Sequence, residues 1–169
     1  MKTAIISTFP ACGKTYLANN QKIFGNIIID ADSTLFKGEQ KWVEKYVNYI
    51  IDCLGKADIV LISQQFDVLD LLNERGQQFI TVAPQNENHM SPKERQLIKQ
   101  QWFGRFYLRN NSHISNLDLW MKKIEINYDN WTNPEIIMSH GSLAHFSLNQ
   151  NEYLTDVIEK IMNNINHFK

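Results

Sequence analysis

Short apolar runs alternate with longer segments of helical period along the whole chain. The runs at 4–7, 27–30, 59–63, 79–83 and 136–139 are rich in isoleucine and valine, the pattern of strands buried on both faces. Between them, residues 13–21, 40–54, 66–75, a segment opening at Ser91 and about 151–164 read as helices. Within 40–54, Trp42, Tyr46 and Ile50 recur on one face, with Val43, Val47 and Leu54 beside them. Gly76 is a natural C-terminal stop for 66–75, and Ser91-Pro92-Lys93-Glu94 joins a capping box to a proline in the first turn. Strands separated by helices predict an α/β fold, a parallel sheet with right-handed crossovers in a single domain over 1–169. Ligands of such sheets bind beyond the carboxyl ends of the strands. The predicted ends are Ser7-Thr8, Asp30-Ala31-Asp32, Ser63-Gln64-Gln65, Ala83-Pro84-Gln85 and Ser139-His140-Gly141, all of them polar.

The first of these ends carries the strongest chemical signal. Thr8-Phe9-Pro10-Ala11-Cys12-Gly13-Lys14-Thr15 lies between a predicted strand and a predicted helix, the setting of a phosphate-binding loop. Backbone N–H groups of such a loop curl around phosphate oxygens, aided by the positive end of the helix dipole. Residues 10–16 (Pro10, Ala11, Cys12, Gly13, Lys14, Thr15, Tyr16) are therefore the expected cradle for the phosphates of ATP. Lys14 would neutralise the β- and γ-phosphates, and the Thr15 hydroxyl would ligate Mg²⁺. Thr8 stands where the motif has its first glycine, so it must hold an ordinary φ or bear strain.

Asp30 and Asp32 point the same way by strand alternation, about 6–7 Å apart. Beside a phosphate loop, Asp30 is expected to organise the metal's water shell and Asp32 to orient or deprotonate the acceptor. Capping of the following segment is the other role open to the pair. Asp58 precedes its strand and is a poor metal ligand, and Ser63 with Gln64 and Gln65 occupies an acceptor-side position. Arg95, Lys99, Arg105 and Arg109 fall within an arc of about 120° if 91–112 is helical, with Gly104 as a hinge. Arg105 and Arg109, nearest the Asn110-Asn111-Ser112 loop, are the expected lid arginines. His140 and Gly141 fall where an adenine-contacting loop would lie, and the helical spacing of Trp120 and Trp131 reads as core.

Composition narrows the classes. At a net charge of −1 there is no general reason for binding nucleic acid or membrane, and no run is long enough to span a bilayer. Two cysteines, one inside the loop, suit reduced thiols in a cytoplasmic setting better than a disulfide framework. The histidines show no metal-ligand spacing.

Taken together, the loop, Asp30-Ala31-Asp32-Ser33 and Arg105-Phe106-Tyr107-Leu108-Arg109-Asn110 resemble small P-loop kinases of the adenylate kinase and shikimate kinase type. Compact bacteriophage-encoded nucleotide kinases are the group whose motifs are most similar, including a later Asp129-Asn130-Trp131. The resemblance covers roughly residues 1–131, with Thr8 and Ala11 at usual glycine positions and Asn110 in place of a glycine. It implies a three-layer P-loop NTPase fold with strand order 2-3-1-4-5 and a short helical lid at about 91–112. It also implies phosphoryl transfer from ATP, with Mg²⁺, to a nucleoside monophosphate, in particular a deoxynucleotide. A hydroxyl acceptor (a sugar, a shikimate-like compound or a modified nucleoside in DNA) and a non-catalytic nucleotide-binding module stay open as alternatives. Lys37 and Lys41 without an arginine on the acceptor side do not decide between them. The expected partners are nucleotides, with nucleic acid only if the acceptor is a base in DNA. The expected state is a monomer or small homo-oligomer in the cytoplasm, the host's if the chain is phage-encoded.

Overall fold

The computed structural model describes residues 3–20, 25–110 and 117–167. The end of the predicted helix 13–21, and residues 111–112 of the predicted lid, lie outside them. Five parallel strands form one sheet: β1 (Ala4–Thr8), β2 (Ile28–Asp30), β3 (Ile59–Ser63), β4 (Phe79–Pro84) and β5 (His145–Leu148), in the order β2-β3-β1-β4-β5. The helices are α1 (Lys14–Asn19), α2 (Trp42–Cys53), α3 (Phe66–Glu74), α4 (Pro92–Asn110), α5 (Leu117–Thr132), α6 (Pro134–Ser139) and α7 (Leu154–His167), with a 3-10 turn at Ser33–Leu35.

Strand alternation sorts the core into two layers. Ile5, Val60, Ile62 and Phe79 pack against Tyr46, Val47 and Ile50 of α2 and Val68, Leu69 and Leu72 of α3. On the opposite face Ile6, Leu61, Ile80 and Val82 meet Leu17 of α1, Trp102 of α4, Ile124 and Tyr128 of α5 and Ile158 of α7. Burial on both faces is why the central strands are continuous apolar runs. The helix boundaries follow local chemistry. Ser91 donates from N and Oγ to the Glu94 carboxylate at 2.8 and 2.6 Å, closing the capping box and holding that carboxyl below its usual range. Gly76, at φ 68, takes the left-handed turn after α3.

The fifth strand is not where the apolar run 136–139 predicts it. Asn133 accepts from the N–H groups of Glu135 and Ile136, Pro134 fills the first turn, and the run folds as α6. The strand is instead the half-buried His-Phe-Ser-Leu of β5, paired only with β4 at the sheet edge. His140 and Gly141 consequently follow a helix and leave the ligand rim. His140 stacks on Phe66 at a centroid distance of 4.0 Å and contacts the Asp70 carboxylate at 2.6 Å. Gly141, at φ 92, packs so tightly on the Asn73 side chain that a Cβ would lie 2.4 Å from it. Helix α4 runs unbroken through Gly104.

Candidate active site

The loop after β1 is braced from three sides. Phe9 N donates to Val82 O, and Gln64 N to Thr8 O, which ties it to β4 and β3. Leu154 N donates to Cys12 O at 2.8 Å, linking the loop to the start of α7. The buried Phe9 ring meets Trp102 and Tyr128 edge-on at 6.1 and 5.6 Å. Thr8 keeps an ordinary φ, whereas Ala11 takes the positive value, 63°, and Gly13 takes 97°. Of the two possibilities at Thr8 the ordinary conformation holds, and the strain sits at Ala11, where an L side chain costs about 1 kcal/mol. Ala11→Gly is expected to raise stability by about 0.5–1 kcal/mol without loss of activity, a gain that urea unfolding would measure.

Among the described residues, the N–H groups of Ala11, Gly13, Lys14, Thr15 and Tyr16 have no protein acceptor. Two members of the predicted cradle differ. Pro10 has no N–H to offer, although it lines the cleft, and the Cys12 N–H turns to Phe9 O at 3.4 Å. Burial pushes the Cys12 thiol up to about 12, so it stays neutral and is no nucleophile. Burial also lowers the pKa of Lys14, opposed by the Asp30 carboxylate, and its ammonium makes no hydrogen bond or ion pair with a described residue. An under-partnered cation beside five free amides is a ready anion site.

Thr15 Oγ1 donates to Asp30 Oδ2 at 2.9 Å and accepts from Arg109 Nη2 at 3.3 Å. The other Asp30 oxygen is buried without a partner. A hydroxyl and an orphaned carboxylate oxygen are hard donors that suit Mg²⁺, completed by water and phosphate oxygens. The described residues contain no cluster of three or more His, Cys, Asp or Glu side chains able to hold a metal by themselves. Asp32 lines the cleft as predicted, but its Oδ1 also accepts from Thr34 N at 2.9 Å, so it caps the 3-10 turn as well. Tyr46 fixes both strand ends, its hydroxyl donating to Ala31 O at 2.6 Å and accepting from Ser63 N at 3.2 Å. Asp58, as expected, takes a structural role and accepts from Ile27 N.

The two expected lid arginines part company. Arg109 reaches Thr15 and lines the cleft with Phe106 and Asn110. Arg105 lies against the rings of Trp102 and Tyr153, 4.5 and 4.2 Å from their centroids, and donates to Glu152 O at 2.8 Å. It does not line the cleft.

That cleft has a volume of about 720 Å³ and joins the loop to the acceptor side. Trp42, Phe66, Phe106, Trp120 and Trp131 wall it, and Ser63, Gln64 and Gln65 contribute the polar end of β3. Trp120 and Trp131, expected as core, belong here. They share a face of α5 with Ile124 (i, i+4, i+11), a stripe that a sequence alone assigns to packing. Lys123, which the sequence did not mark out, and Lys37 both line the cleft, 5.3 and 4.9 Å from the Trp120 ring centroid. Burial and then the Lys123 charge depress the Lys37 pKa.

The chain matches solved structures in fold over nearly its whole length. A shikimate kinase from Bacteroides thetaiotaomicron superposes with a TM-score of 0.50 at 16% identity, covering 98% of this chain and 99% of that one. The chain shares the fold of that shikimate kinase. An uncharacterized protein from Eubacterium ventriosum matches equally, with a TM-score of 0.51 at 13% identity over 97% of this chain and 99% of that one. No protein-family model and no curated protein sequence matches the chain. Among the described residues, no helix is long and apolar enough to cross a membrane.

Proposed function

We propose that this P-loop kinase fold carries a phosphotransferase that uses ATP and Mg²⁺ and acts on a nucleoside monophosphate. One observation carries the choice of acceptor: Lys37 and Lys123 converge on the Trp120 ring inside the cleft that also holds Lys14. Neither lysine forms an ion pair with a described residue. Two cations at one ring, with the Asp32 and Asp67 carboxylates acting on Lys37 only at a distance and neither pairing with it, favour an anionic group on the acceptor, and the aromatic walls suit a flat base.

In this reading the amides of Ala11 and Gly13–Tyr16 hold the donor phosphates, and Lys14 neutralises them. Thr15 and Asp30 would hold Mg²⁺, which supplies charge neutralisation at the phosphates. Asp32 faces the acceptor with its second carboxylate oxygen, and Arg109 places a guanidinium over the developing charge. Lys37 and Lys123 take the acceptor's own phosphate. Such chemistry is positioning and electrostatics, and needs no nucleophilic side chain.

A hydroxyl acceptor is the second reading, favoured by Asp32 on the cleft and by likeness in fold to a shikimate kinase. The deciding experiment measures ADP release with MgATP across deoxynucleoside and ribonucleoside monophosphates, nucleosides and shikimate. Turnover of a monophosphate is expected, with Lys37→Ala and Lys123→Ala each raising its KM about tenfold or more at near-constant kcat. Turnover confined to a hydroxyl compound would replace the first reading with the second. ATP binding with no turnover of any compound would leave a nucleotide-binding module.

The arginines supply a second test. Arg109→Ala is expected to lower kcat and kcat/KM together by at least tenfold, the mark of an interaction made in the transition state. Arg105→Ala should cost about 1–3 kcal/mol of stability through its lost ring contacts, with kcat changed by less than threefold. Equal kinetic losses in both variants would return Arg105 to the reacting centre.

A further inference from the structure

The turn between α6 and β5 is seated on one stripe of α3, and that stripe begins at the cleft. Phe66, Asp70 and Asn73 recur at i, i+4 and i+7 along α3, and the turn residues His140 and Gly141 between them touch all three. The His140 ring lies flat on Phe66, with centroids 4.0 Å apart and planes 18° apart. Its Nδ1 lies 2.6 Å from Asp70 Oδ1, and because a carboxylate only accepts, the ring nitrogen is the donor. That bond orients the imidazole on the Phe66 face. Gly141, at φ 92, rests directly on the helix, since a Cβ there would lie 2.4 Å from the Asn73 side chain.

Of these five residues Phe66 alone lines the cleft. It is half-buried and opens a helix whose N-cap, Gln65, makes no side-chain cap bond. His140 itself caps α6, which only Asn133 separates from α5, the helix that brings Trp120 and Trp131 to the cleft. The stack therefore ties the Phe66 wall of the cleft to the element behind the tryptophan wall. We infer that His140 is a positioning residue: stacked on Phe66 and oriented by Asp70, it holds one aromatic wall of the acceptor side in place without touching the acceptor. The inference rests on the nucleotide reading above and adds a residue outside the cleft on which acceptor affinity depends. A ring already ordered offers its face to a base without first losing rotamer freedom, so a released Phe66 binds the same base more weakly. In that reading the donor is held by the loop amides and Lys14, which His140 does not contact, so its affinity is independent of the stack.

Equilibrium binding, followed by quenching of the cleft tryptophans, tests this without turnover. The probes are dAMP, dCMP, dGMP and dTMP, with MgATP as the donor control. For the monophosphate that the wild type binds most tightly, His140→Ala is expected to weaken binding about fivefold, within what one aromatic pair supplies. MgATP affinity should change by less than about twofold, and the melting temperature should stay within a few degrees, because the ion pair with Asp70 is partly open to solvent. His140→Phe restores a ring on Phe66 and should recover the wild-type affinity to within about twofold. His140→Asn keeps an N–H donor but no ring, and should bind like His140→Ala. Unchanged monophosphate binding in His140→Ala, an equal loss for monophosphate and MgATP, or no recovery in His140→Phe overturns the positioning role and leaves the nucleotide reading standing. A fall of many degrees in the melting temperature of His140→Ala makes the residue structural and overturns that role too. Failure of every monophosphate to bind the wild type overturns both.

Discussion

Lys14→Ala is expected to reduce phosphoryl transfer below a few per cent of wild type while the melting temperature holds or rises. The two halves of this result have one cause. Lys14 is half-buried, and desolvation lowers its pKa more than the nearby Asp30 carboxylate raises it. The folded chain thus carries an ammonium without sufficient compensation, and deleting it removes that cost. In the proposed reading phosphate oxygens are the missing partners, so the same deletion would leave the donor's negative charge unopposed in the transition state. Because the pKa is lowered, the free protein should also lose affinity for ATP at a less alkaline pH than an ordinary lysine would dictate. Steady-state ADP release and calorimetric melting on the one variant measure both effects. Appreciable retained turnover would sever this loop from catalysis, and a fall of many degrees in melting temperature would make Lys14 a structural residue.

Acid is expected to destabilise the fold well before its carboxylates are protonated, through His145 on the edge strand. Burial lowers its pKa from 6.5 to about 4, with Glu87 only partly opposing. Nδ1 lies 3.0 Å from Thr81 Oγ1, and Nε2 is buried without a partner. Between these pKa values the unfolded chain binds a proton that the folded chain refuses, so stability falls as pH drops from about 6.5 towards 4. The loss is on the order of 2–3 kcal/mol, allowing for partial solvent access. Urea unfolding between pH 7.5 and 4.5 should show that slope in the wild type and a flatter one in His145→Gln. Parallel slopes in the two proteins would clear His145 of the effect.

Most of the sheet was legible because its three central strands, β1, β3 and β4, are buried and have no choice but to be apolar. The edge strand β5 escaped because its half-buried face tolerates His and Ser, while the more apolar 136–139 lies behind an Asn-Pro helix start. The other edge, β2, kept an apolar Ile-Ile that gave it away. Part of the site was legible for a different reason. A loop that offers its own backbone N–H groups keeps its chemistry local, so Gly13, Lys14 and Thr15 of the proposed phosphate site stand out within a few residues. Asp30 follows from strand alternation, and its bond to Thr15 joins residues from adjoining strand–helix connections.

The chain by itself thus determined the parallel α/β architecture, the loop between β1 and α1 and the cation at its heart, all fixed by short-range periodicity or adjacency. Tertiary structure alone decided which of two arginines four residues apart faces the cleft, since Arg105 is captured by Tyr153 and Glu152 from α7's approach. It also decided that Trp120 walls a cavity, and that Trp131 packs on the core with one side open to that cavity, because a helix stripe looks the same whether a neighbour or a void lies opposite. The pairing of Lys37 with Lys123, and the stack of His140 on Phe66, belong to the same class. Each depends on groups far apart in sequence, and charge or hydrogen-bonding need becomes visible only when the fold sets what stands beside it.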